Sequence, residues 1–292
     1  MFKGSIVAIV TPFDGGVPDK ARFTELVRWH IENGAHGIVP CGSTGESATL
    51  DHKEHEQVID WTVKASDGRI KVIAGTGSNS TSEAIELTRA AKDTGADGAL
   101  LISPYYNKPT QEGVYRHHMA IADAVEIPQI LYNVPGRTAL DIAPETIARL
   151  APHPNIVGIK EATGSLEQAM DIIALCPDDF VLLSGDDSIN FPLLAVGGKG
   201  SISVTANVWP KKMAMMHNLF FEGKVEKARE LHYEMRELHK AMFIETNPIP
   251  VKTAVAMMGK IKEEFRLPLT PMSDANKNRL ETVLRNFNLL VT

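Results

Sequence analysis

Short apolar segments recur along the first two thirds of the chain, separated by longer segments of mixed polarity. The apolar segments span residues 5–10, 37–40, 70–74, 98–102, 129–132, 156–160, 180–184 and 200–204. Both odd and even positions within them are apolar, which is typical of strands buried on both faces. The pattern therefore predicts a parallel sheet that is covered by helices.

The intervening segments have the hydrophobic spacing of amphipathic helices. In the first of them, the positions i, i+3, i+4, i+7 and i+8 are occupied by Phe23, Leu26, Val27, His30 and Ile31. This is the spacing of a helix that buries one side against a neighbouring layer. We therefore expect a helix after each strand.

Candidate capping residues mark where several of these helices begin. Asp19 is a suitable N-cap for the first helix. Ser80 with Glu83, and Ser165 with Gln168, have the spacing of a capping box, in which each side chain bonds the backbone of the other residue. Each pair follows an apolar segment, so both predict a strand followed by a helix.

Strand and helix alternate eight times. Eight repeats with right-handed crossovers favour a (β/α)8 barrel over an open doubly wound sheet, which usually has about five to seven strands. After Trp209 the strand-like segments stop, and helices are predicted over residues 213–221, 224–243, 250–258 and 274–287. We therefore predict an α/β protein with a barrel in residues 1–222 and a C-terminal helical extension in residues 223–292.

Composition and charge narrow the class of partner. The chain has 292 residues with 30 Lys+Arg against 36 Asp+Glu, a formal net charge of −6, which offers no basic surface for nucleic acid or an anionic membrane. Cys41 and Cys176 form no Cys-x-x-Cys pattern, as expected for reduced thiols. The first apolar segment is too short for a signal peptide or a membrane span. We expect a cytoplasmic protein.

In such a barrel, catalytic side chains lie at the C-terminal ends of the strands. Lys160 closes one apolar segment, and burial disfavours the charged form of a lysine, which suits a nucleophile that forms a Schiff base. An ion pair with Glu161 or a neighbouring carboxylate is the alternative. Tyr132 closes the preceding segment, where its phenol could transfer protons at the imine. The alternative for Tyr132 is a core aromatic residue with its hydroxyl at the rim.

Two further features could bind carboxylates. The turn at residues 42–46 offers backbone N–H groups and the hydroxyls of Ser43 and Thr44, although a tight turn that needs its two glycines would look the same. Arg137 follows the Tyr132 strand and could hold a carboxylate with two parallel hydrogen bonds. A surface arginine is the alternative for Arg137.

Metal and phosphate sites are not expected. His52 and His55 share a predicted helix face, but they have no nearby Cys or paired carboxylates to complete a metal site, so a solvated helix face is expected. The glycine-rich segment 197–200 precedes a strand, which places it at the barrel end opposite to catalysis and argues against phosphate binding.

Motifs along the whole chain resemble those of the dihydrodipicolinate synthase (4-hydroxy-tetrahydrodipicolinate synthase) family, in the superfamily of pyruvate-dependent class I aldolases and N-acetylneuraminate lyases. They are Gly-Ser-Thr-Gly-Glu-Ser at 42–47, Tyr-Tyr at 105–106, Tyr-Asn-Val-Pro-Gly-Arg-Thr at 132–138, Gly-Ile-Lys-Glu at 158–161, Gly-Asp-Asp at 185–187 and Glu-Thr-Asn-Pro-Ile-Pro at 245–250. The resemblance implies a TIM barrel and a lyase that condenses pyruvate with L-aspartate 4-semialdehyde, towards diaminopimelate and lysine.

The resemblance also implies residue roles. Lys160 would carry the covalent pyruvate imine, with no metal and no organic cofactor. Tyr132, Thr44 and Tyr106 would form a proton relay, with Tyr106 supplied by a neighbouring subunit, which requires a homodimer or homotetramer. The residues implied in substrate binding are Ser43, Thr44, Arg137, Gly185 and Ile202.

A regulatory site is implied in the same way. Feedback inhibition by L-lysine at a subunit interface would involve Ser47, Ala48, His52, His55, Asn79, Glu83 and Tyr105. The alternative explanation is purely structural, because Glu83 fits a capping box with Ser80 and the two histidines fit a solvated helix face.

Other functions remain open at this point. A 2-keto-3-deoxy sugar acid lyase or N-acetylneuraminate lyase would use the same lysine imine, and Ser43 stands where many synthases have Thr and sialic-acid lyases often have Ser. Arg137 favours the synthase, because the semialdehyde brings a second carboxylate and a sugar aldehyde does not. A non-catalytic binder of a small keto acid is a third reading.

Overall fold

The computed structural model describes residues 2–290, and its centre is a closed barrel of eight parallel strands. The strands of the chain are β1 (Gly4–Ala8), β2 (Phe13–Asp14), β3 (Val17–Pro18), β4 (Gly37–Val39), β5 (Lys71–Gly75), β6 (Gly98–Ile102), β7 (Gln129–Asn133), β8 (Ile156–Glu161), β9 (Val181–Ser184) and β10 (Gly200–Ser203). β1 and β4 to β10 form the barrel in chain order, and β10 closes it by pairing with β1.

The eight predicted strands and the barrel are confirmed, and one small element was not predicted. β2 and β3 pair as an antiparallel hairpin outside the barrel. Their turn is Gly15-Gly16, and both residues have a positive φ, as the type I′ hairpin turn requires. With two residues in each strand, the hairpin is too short to give an alternating pattern.

Helices surround the barrel and continue beyond it. Those up to the end of the barrel region are α1 (Lys20–Glu32), α2 (His52–Ser66), α3 (Thr81–Thr94), α4 (Gln111–Ala124), α5 (Pro135–Thr138), α6 (Pro144–Leu150), α7 (Leu166–Leu175), α8 (Asn190–Ala195) and α9 (Pro210–Phe221). The later ones are α10 (Val225–Glu234), α11 (Arg236–Ala241), α12 (Ile249–Met257) and α13 (Asp274–Asn286). The helix predicted over 224–243 divides at Met235, and the domain boundary at 222 stays a prediction.

The three predicted N-caps are confirmed, whereas the two predicted capping boxes are not formed. Asp19 accepts the backbone N–H of Arg22, and Ser80 and Ser165 also cap their helices through the N–H three residues on. Glu83 and Gln168 do not bond back to the caps, because both are used elsewhere. The Glu83 carboxylate accepts from Ser78 and contacts His52, and the Gln168 amide donates to Asp141.

The C-terminal extension contacts and stabilises the turn at residues 42–49, which follows β4. Lys252 on α12 forms a fully buried ion pair with Glu46, and its ammonium lies 3.9 Å from the centre of the Phe13 ring. Burial lowers the pKa of Lys252 to about 8, against the opposing effect of Glu46. Arg266 adds a hydrogen bond of 2.6 Å to the carbonyl of Thr49. Side chains of the extension therefore fix the 42–49 turn.

Candidate active site

Lys160 and Tyr132 meet at the C-terminal end of the barrel. They are register partners on the neighbouring strands β8 and β7, so their side chains leave the sheet on the same face. The Lys160 Nζ atom lies 4.1 Å from the centre of the Tyr132 ring, and both residues are buried. The strand ends thus bring together the two residues that the sequence proposed for imine chemistry.

The alternative of an ion pair between Lys160 and Glu161 is wrong. No ion pair within residues 2–290 includes Lys160, and the Glu161 side chain points to the opposite face of its strand. There its carboxylate accepts from Asn133 Nδ2 at 3.0 Å and from the Thr163 backbone N–H at 2.6 Å. Burial raises the pKa of Glu161, against the effect of these hydrogen bonds. The amine of Lys160 is therefore free of a carboxylate partner.

Gly185 makes room for the Lys160 side chain. A Cβ atom at Gly185 would lie 3.0 Å from Lys160 Cε and 2.7 Å from Ala162 Cβ. Any larger residue would clash with Ala162 and crowd the end of the lysine side chain. Ile202, implied in the same pocket, is buried on β10 within the apolar cluster that includes Tyr132.

A cavity of about 360 Å³, here called the mouth cavity, opens above these residues. It brings together six of the implied catalytic and binding residues, namely Ser43, Thr44, Tyr132, Arg137, Lys160 and Gly185. Ile202 and Tyr106 do not line it. The size and the mixture of apolar and convergent polar groups suit a small keto acid.

Thr44 and Arg137 are held by one residue that the sequence analysis missed. Asn247, between α11 and α12, donates from Nδ2 to Thr44 Oγ1 at 3.1 Å. Its backbone carbonyl accepts from Arg137 Nη2 at 2.8 Å. His239 and Phe243 of the extension also line the mouth cavity. Only the motif at 245–250 hinted at this contribution.

Tyr106 is separate from the mouth cavity in this single chain. Its side chain is 91% exposed, and its backbone has a φ of 71°, in the left-handed region that is costly for a bulky residue. Strained backbone conformations of this kind cluster at functional sites, which agrees with a role for the exposed ring.

A second cavity, here called the loop cavity, has a volume of about 490 Å³ and lies on the other side of the 42–49 turn. Six of the residues implied in lysine binding line it, namely Ser47, Ala48, His52, His55, Glu83 and Tyr105. The seventh, Asn79, donates to the carbonyl of Tyr105 at 3.1 Å. The fold therefore gathers all seven residues in one place.

The prediction of a solvated face for both histidines is wrong for His55. His52 is exposed and its Nε2 atom lies 3.0 Å from Glu83 Oε1, whereas His55 is buried against the barrel. Burial lowers the pKa of His55 to about 4, so it is neutral at pH 7. The pair thus combines one neutral buried ring with one exposed ring beside a carboxylate.

The mouth and loop cavities share a wall. Ser43, Tyr132, Arg137 and Asn247 each line both of them. A third cavity, the base cavity, of about 560 Å³, lies at the opposite end of the barrel, around Phe2 and Pro128.

Residues 2–290 contain neither a cluster of metal ligands nor a helix that could span a membrane. No group of three or more His, Cys, Asp or Glu side chains is placed to hold a metal ion. Over the same residues, no helix has the length and the apolar character needed to cross a membrane.

Comparisons with known proteins identify the same family over nearly the whole length of the chain. The profile of the dihydrodipicolinate synthetase family matches residues 1–287. The chain is 63% identical to a 4-hydroxy-tetrahydrodipicolinate synthase of Thermodesulfovibrio yellowstonii, over 99% of this chain and 100% of the relative.

Two solved structures add information on ligands. The chloride-inhibited dihydrodipicolinate synthase from Acinetobacter baumannii, complexed with pyruvate, has a TM-score of 0.97 and 48% identity, covering 99% of this chain and 100% of that one. The enzyme from Cyanidioschyzon merolae with lysine bound has a TM-score of 0.96 and 40% identity, with 99% of both chains covered.

Proposed function

The chain belongs to the dihydrodipicolinate synthetase family, and on this premise we propose that it is a 4-hydroxy-tetrahydrodipicolinate synthase. It is a lyase of the class I aldolase type that joins pyruvate to L-aspartate 4-semialdehyde. The observation that carries the assignment is a buried lysine amine, without a carboxylate partner, beside Tyr132 in a chain 63% identical to such a synthase over its whole length.

The chemistry begins with a covalent imine. The Lys160 amine attacks C2 of pyruvate, and loss of one water leaves an imine that, once protonated, draws electrons from C3. A proton then leaves C3, and the resulting enamine attacks the aldehyde carbon of the second substrate. The amino group of that substrate attacks C2 in turn, which closes the ring and releases Lys160.

Proton transfers need a relay, to which we assign Tyr132, Thr44 and Tyr106. Tyr132 is supported by the position of its ring beside the Lys160 Nζ atom, and Thr44 by its buried hydroxyl in the same cavity. Tyr106 would come from a second copy of the chain. Its 91% exposure leaves the ring available to another subunit, so a homodimer or homotetramer is the proposed active form.

Two carboxylates need separate partners. The backbone at Ser43 and Thr44 would hold the carboxylate of pyruvate, and the carbonyls near Gly185 and Ile202 would line its pocket. Arg137 would bind the carboxylate of the semialdehyde. A guanidinium has five N–H donors, and the bond to Asn247 uses one of them, so a bidentate contact remains available.

We assign the loop cavity to L-lysine as a feedback inhibitor. The seven implied residues gather there, and Glu83 offers a carboxylate to an ammonium group while Asn79 and Tyr105 lie beside it. The measurement is the rate at rising lysine concentration. Inhibition that begins only at very high, non-physiological lysine would contradict this assignment.

Neither a metal nor an organic cofactor enters this scheme, because the imine nitrogen itself accepts the electrons of C3. Activity that survives prolonged dialysis against a chelator would support the scheme, and activity that returns only with added metal would overturn it. Two free cysteines, one of them buried, suit the reducing cytoplasm in which we place the enzyme.

The deciding experiment is a pair of assays. Condensation of pyruvate with L-aspartate 4-semialdehyde is followed through a coupled reductase, and cleavage of a 2-keto-3-deoxy sugar acid is measured in parallel. We expect activity in the first assay alone. Activity in the second alone would keep the Lys160 imine but replace the substrate, and failure of borohydride to trap pyruvate would favour a non-catalytic binder.

A further inference from the structure

Asn247 is placed to act on the reaction through Thr44. It belongs to the C-terminal extension, yet it is buried at the wall between the mouth and loop cavities. Its side chain bonds Thr44 and its backbone bonds Arg137, which lie 203 and 110 residues away in the sequence. Asn247 therefore contacts the relay residue Thr44 through its side chain and the carboxylate-binding residue Arg137 through its backbone, so a substitution can remove the first contact and keep the second.

The direction of the Thr44 bond has a chemical consequence. An amide nitrogen can only donate, whereas a hydroxyl has one hydrogen and two acceptor lone pairs. Because Asn247 Nδ2 donates to Thr44 Oγ1, the Thr44 hydrogen has to point to a different acceptor. Within residues 2–290, no protein group accepts it, so the hydroxyl is left to donate into the mouth cavity.

The oxygen atom of the same side-chain amide also indicates that Asn247 has a role in function. Asn247 Oδ1 is buried and has no hydrogen-bond partner among the described residues. A buried acceptor without a partner costs free energy, and such groups are exceptions that call for an explanation. Here the amide faces the relay hydroxyl with its donor, although this leaves its acceptor unsatisfied.

We propose that Asn247 is a positioning residue that orients the Thr44 hydroxyl as the proton donor of the relay. The bond also polarises that hydroxyl, because a group that accepts a hydrogen bond becomes a better donor. The proposal rests on the proposed function for the identity of the relay. It predicts that removal of the Nδ2 donor slows proton transfer but spares imine formation on Lys160 and the backbone contact to Arg137.

Exchange of the C3 hydrogens of pyruvate in D2O, measured by NMR, isolates this step. In each exchange, a C3–H bond of the protonated imine breaks, its electrons form the enamine, and the proton passes to the relay before a deuteron returns. Borohydride trapping of pyruvate on Lys160 measures the preceding step. Neither readout needs the second substrate.

We expect Asn247→Asp and Asn247→Ala to slow exchange about 10- to 100-fold relative to trapping. The first variant keeps the shape but loses the donor, and the second loses the donor without adding charge. In the condensation assay, kcat should fall while KM for the semialdehyde changes little, because the carbonyl that holds Arg137 is retained. Asn247→Ser, whose hydroxyl can donate, should recover part of the exchange rate.

Asn207→Asp is the matched control, since Asn207 is a buried amide that donates to backbone carbonyls of the barrel. This variant should lower the unfolding temperature while the ratio of exchange to trapping stays at the wild-type value. An unchanged ratio in Asn247→Asp would overturn the proposal, as would equal loss of trapping and exchange. Wild-type protein that traps and exchanges pyruvate but does not condense the semialdehyde would refute the proposed function alone.

Discussion

The two ends of the barrel carry cavities of opposite character. The base cavity is the larger, about 560 Å³ against about 360 Å³ for the mouth cavity. It is lined largely by prolines and aliphatic residues, together with the exposed Asp179 and with Lys71 and Asp97, which pair with each other at 2.5 Å. In the mouth cavity, the Lys160 amine has no carboxylate partner. A buried amine without a carboxylate partner among the described residues, rather than a larger volume, therefore distinguishes the end to which we assign the chemistry.

The largest expected effect is that of Lys160→Ala. The variant should lose borohydride trapping and turnover together, because the one other lysine among the described residues that lines the mouth cavity, Lys240, is exposed on α11 and does not lie at a strand end. Mass spectrometry after reduction with pyruvate measures it. Lys71→Ala, at the opposite end of the barrel, is the control and should trap normally. Trapping that persists in Lys160→Ala would place the nucleophile elsewhere.

Arg137→Ala should affect only the second substrate. Loss of two charged hydrogen bonds, about 3 kcal/mol, corresponds to a decrease of roughly 100-fold in kcat/KM for the semialdehyde. Trapping of pyruvate should stay near the wild-type rate, as it should in the exposed control Arg116→Ala. Equal loss of trapping and condensation in Arg137→Ala would refute this division of roles.

Tyr106→Phe tests whether the mouth is completed by another copy of the chain. We expect a decrease of about tenfold or more in kcat from the loss of one relay hydroxyl, with little change in unfolding temperature because the substitution keeps the ring and removes only its hydroxyl. Steady-state kinetics and thermal unfolding measure the two effects. A wild-type rate would remove Tyr106 from the relay.

Phe2→Ala probes the base of the barrel. The Phe2 ring is buried close to Gly98, so its removal should cost about 3 kcal/mol of the free energy of unfolding by leaving a cavity. Turnover at 25 °C should remain at the wild-type value. A folded Phe2→Ala variant with impaired trapping would mean that the base of the barrel influences the mouth, and would contradict the separation of the two ends.

The smallest effect concerns the buried ion pair behind the mouth. The pKa of Lys252 is lowered to about 8 by burial, so between about pH 8 and its unfolded value near 10.4 the unfolded chain binds more protons. The contribution of Lys252 to the free energy of unfolding should therefore increase with pH over that range. The double variant Glu46→Gln with Lys252→Met, which removes both charges, should lack it in denaturant titrations. An identical pH slope in both proteins would contradict the shifted pKa.

Local pattern was sufficient to predict the barrel and much of the mouth. The buried strands were recognised because both faces are apolar, and the strand-end rule then placed Lys160 beside Tyr132. Glu83 was assigned to a cap from its spacing alone, whereas its carboxylate bonds Ser78 and lies beside His52. His55 was misjudged because a half-polar helix face does not reveal which histidine packs inward.

The rest depended on contacts between distant parts of the chain. Asn247 reaches Thr44 across 203 residues, and Lys252 reaches Glu46 across 206. Nothing in a helical pattern specifies such pairings, because they follow from how the extension folds back on the barrel. Apart from the motif at 245–250, the contribution of the extension to the site therefore became visible only in the tertiary structure.

The wall shared by the mouth and loop cavities bears on how this protein can evolve. A substitution at Ser43, Tyr132, Arg137 or Asn247 alters both spaces, so under the proposed assignment of the loop cavity to lysine it would change inhibition and catalysis together. Mutants selected on a toxic lysine analogue should instead carry changes on the outer side of the loop cavity, around His52 and Tyr105. Substitutions in the shared wall should therefore change catalysis and inhibition together. Substitutions that face the loop cavity alone should reduce inhibition without loss of activity.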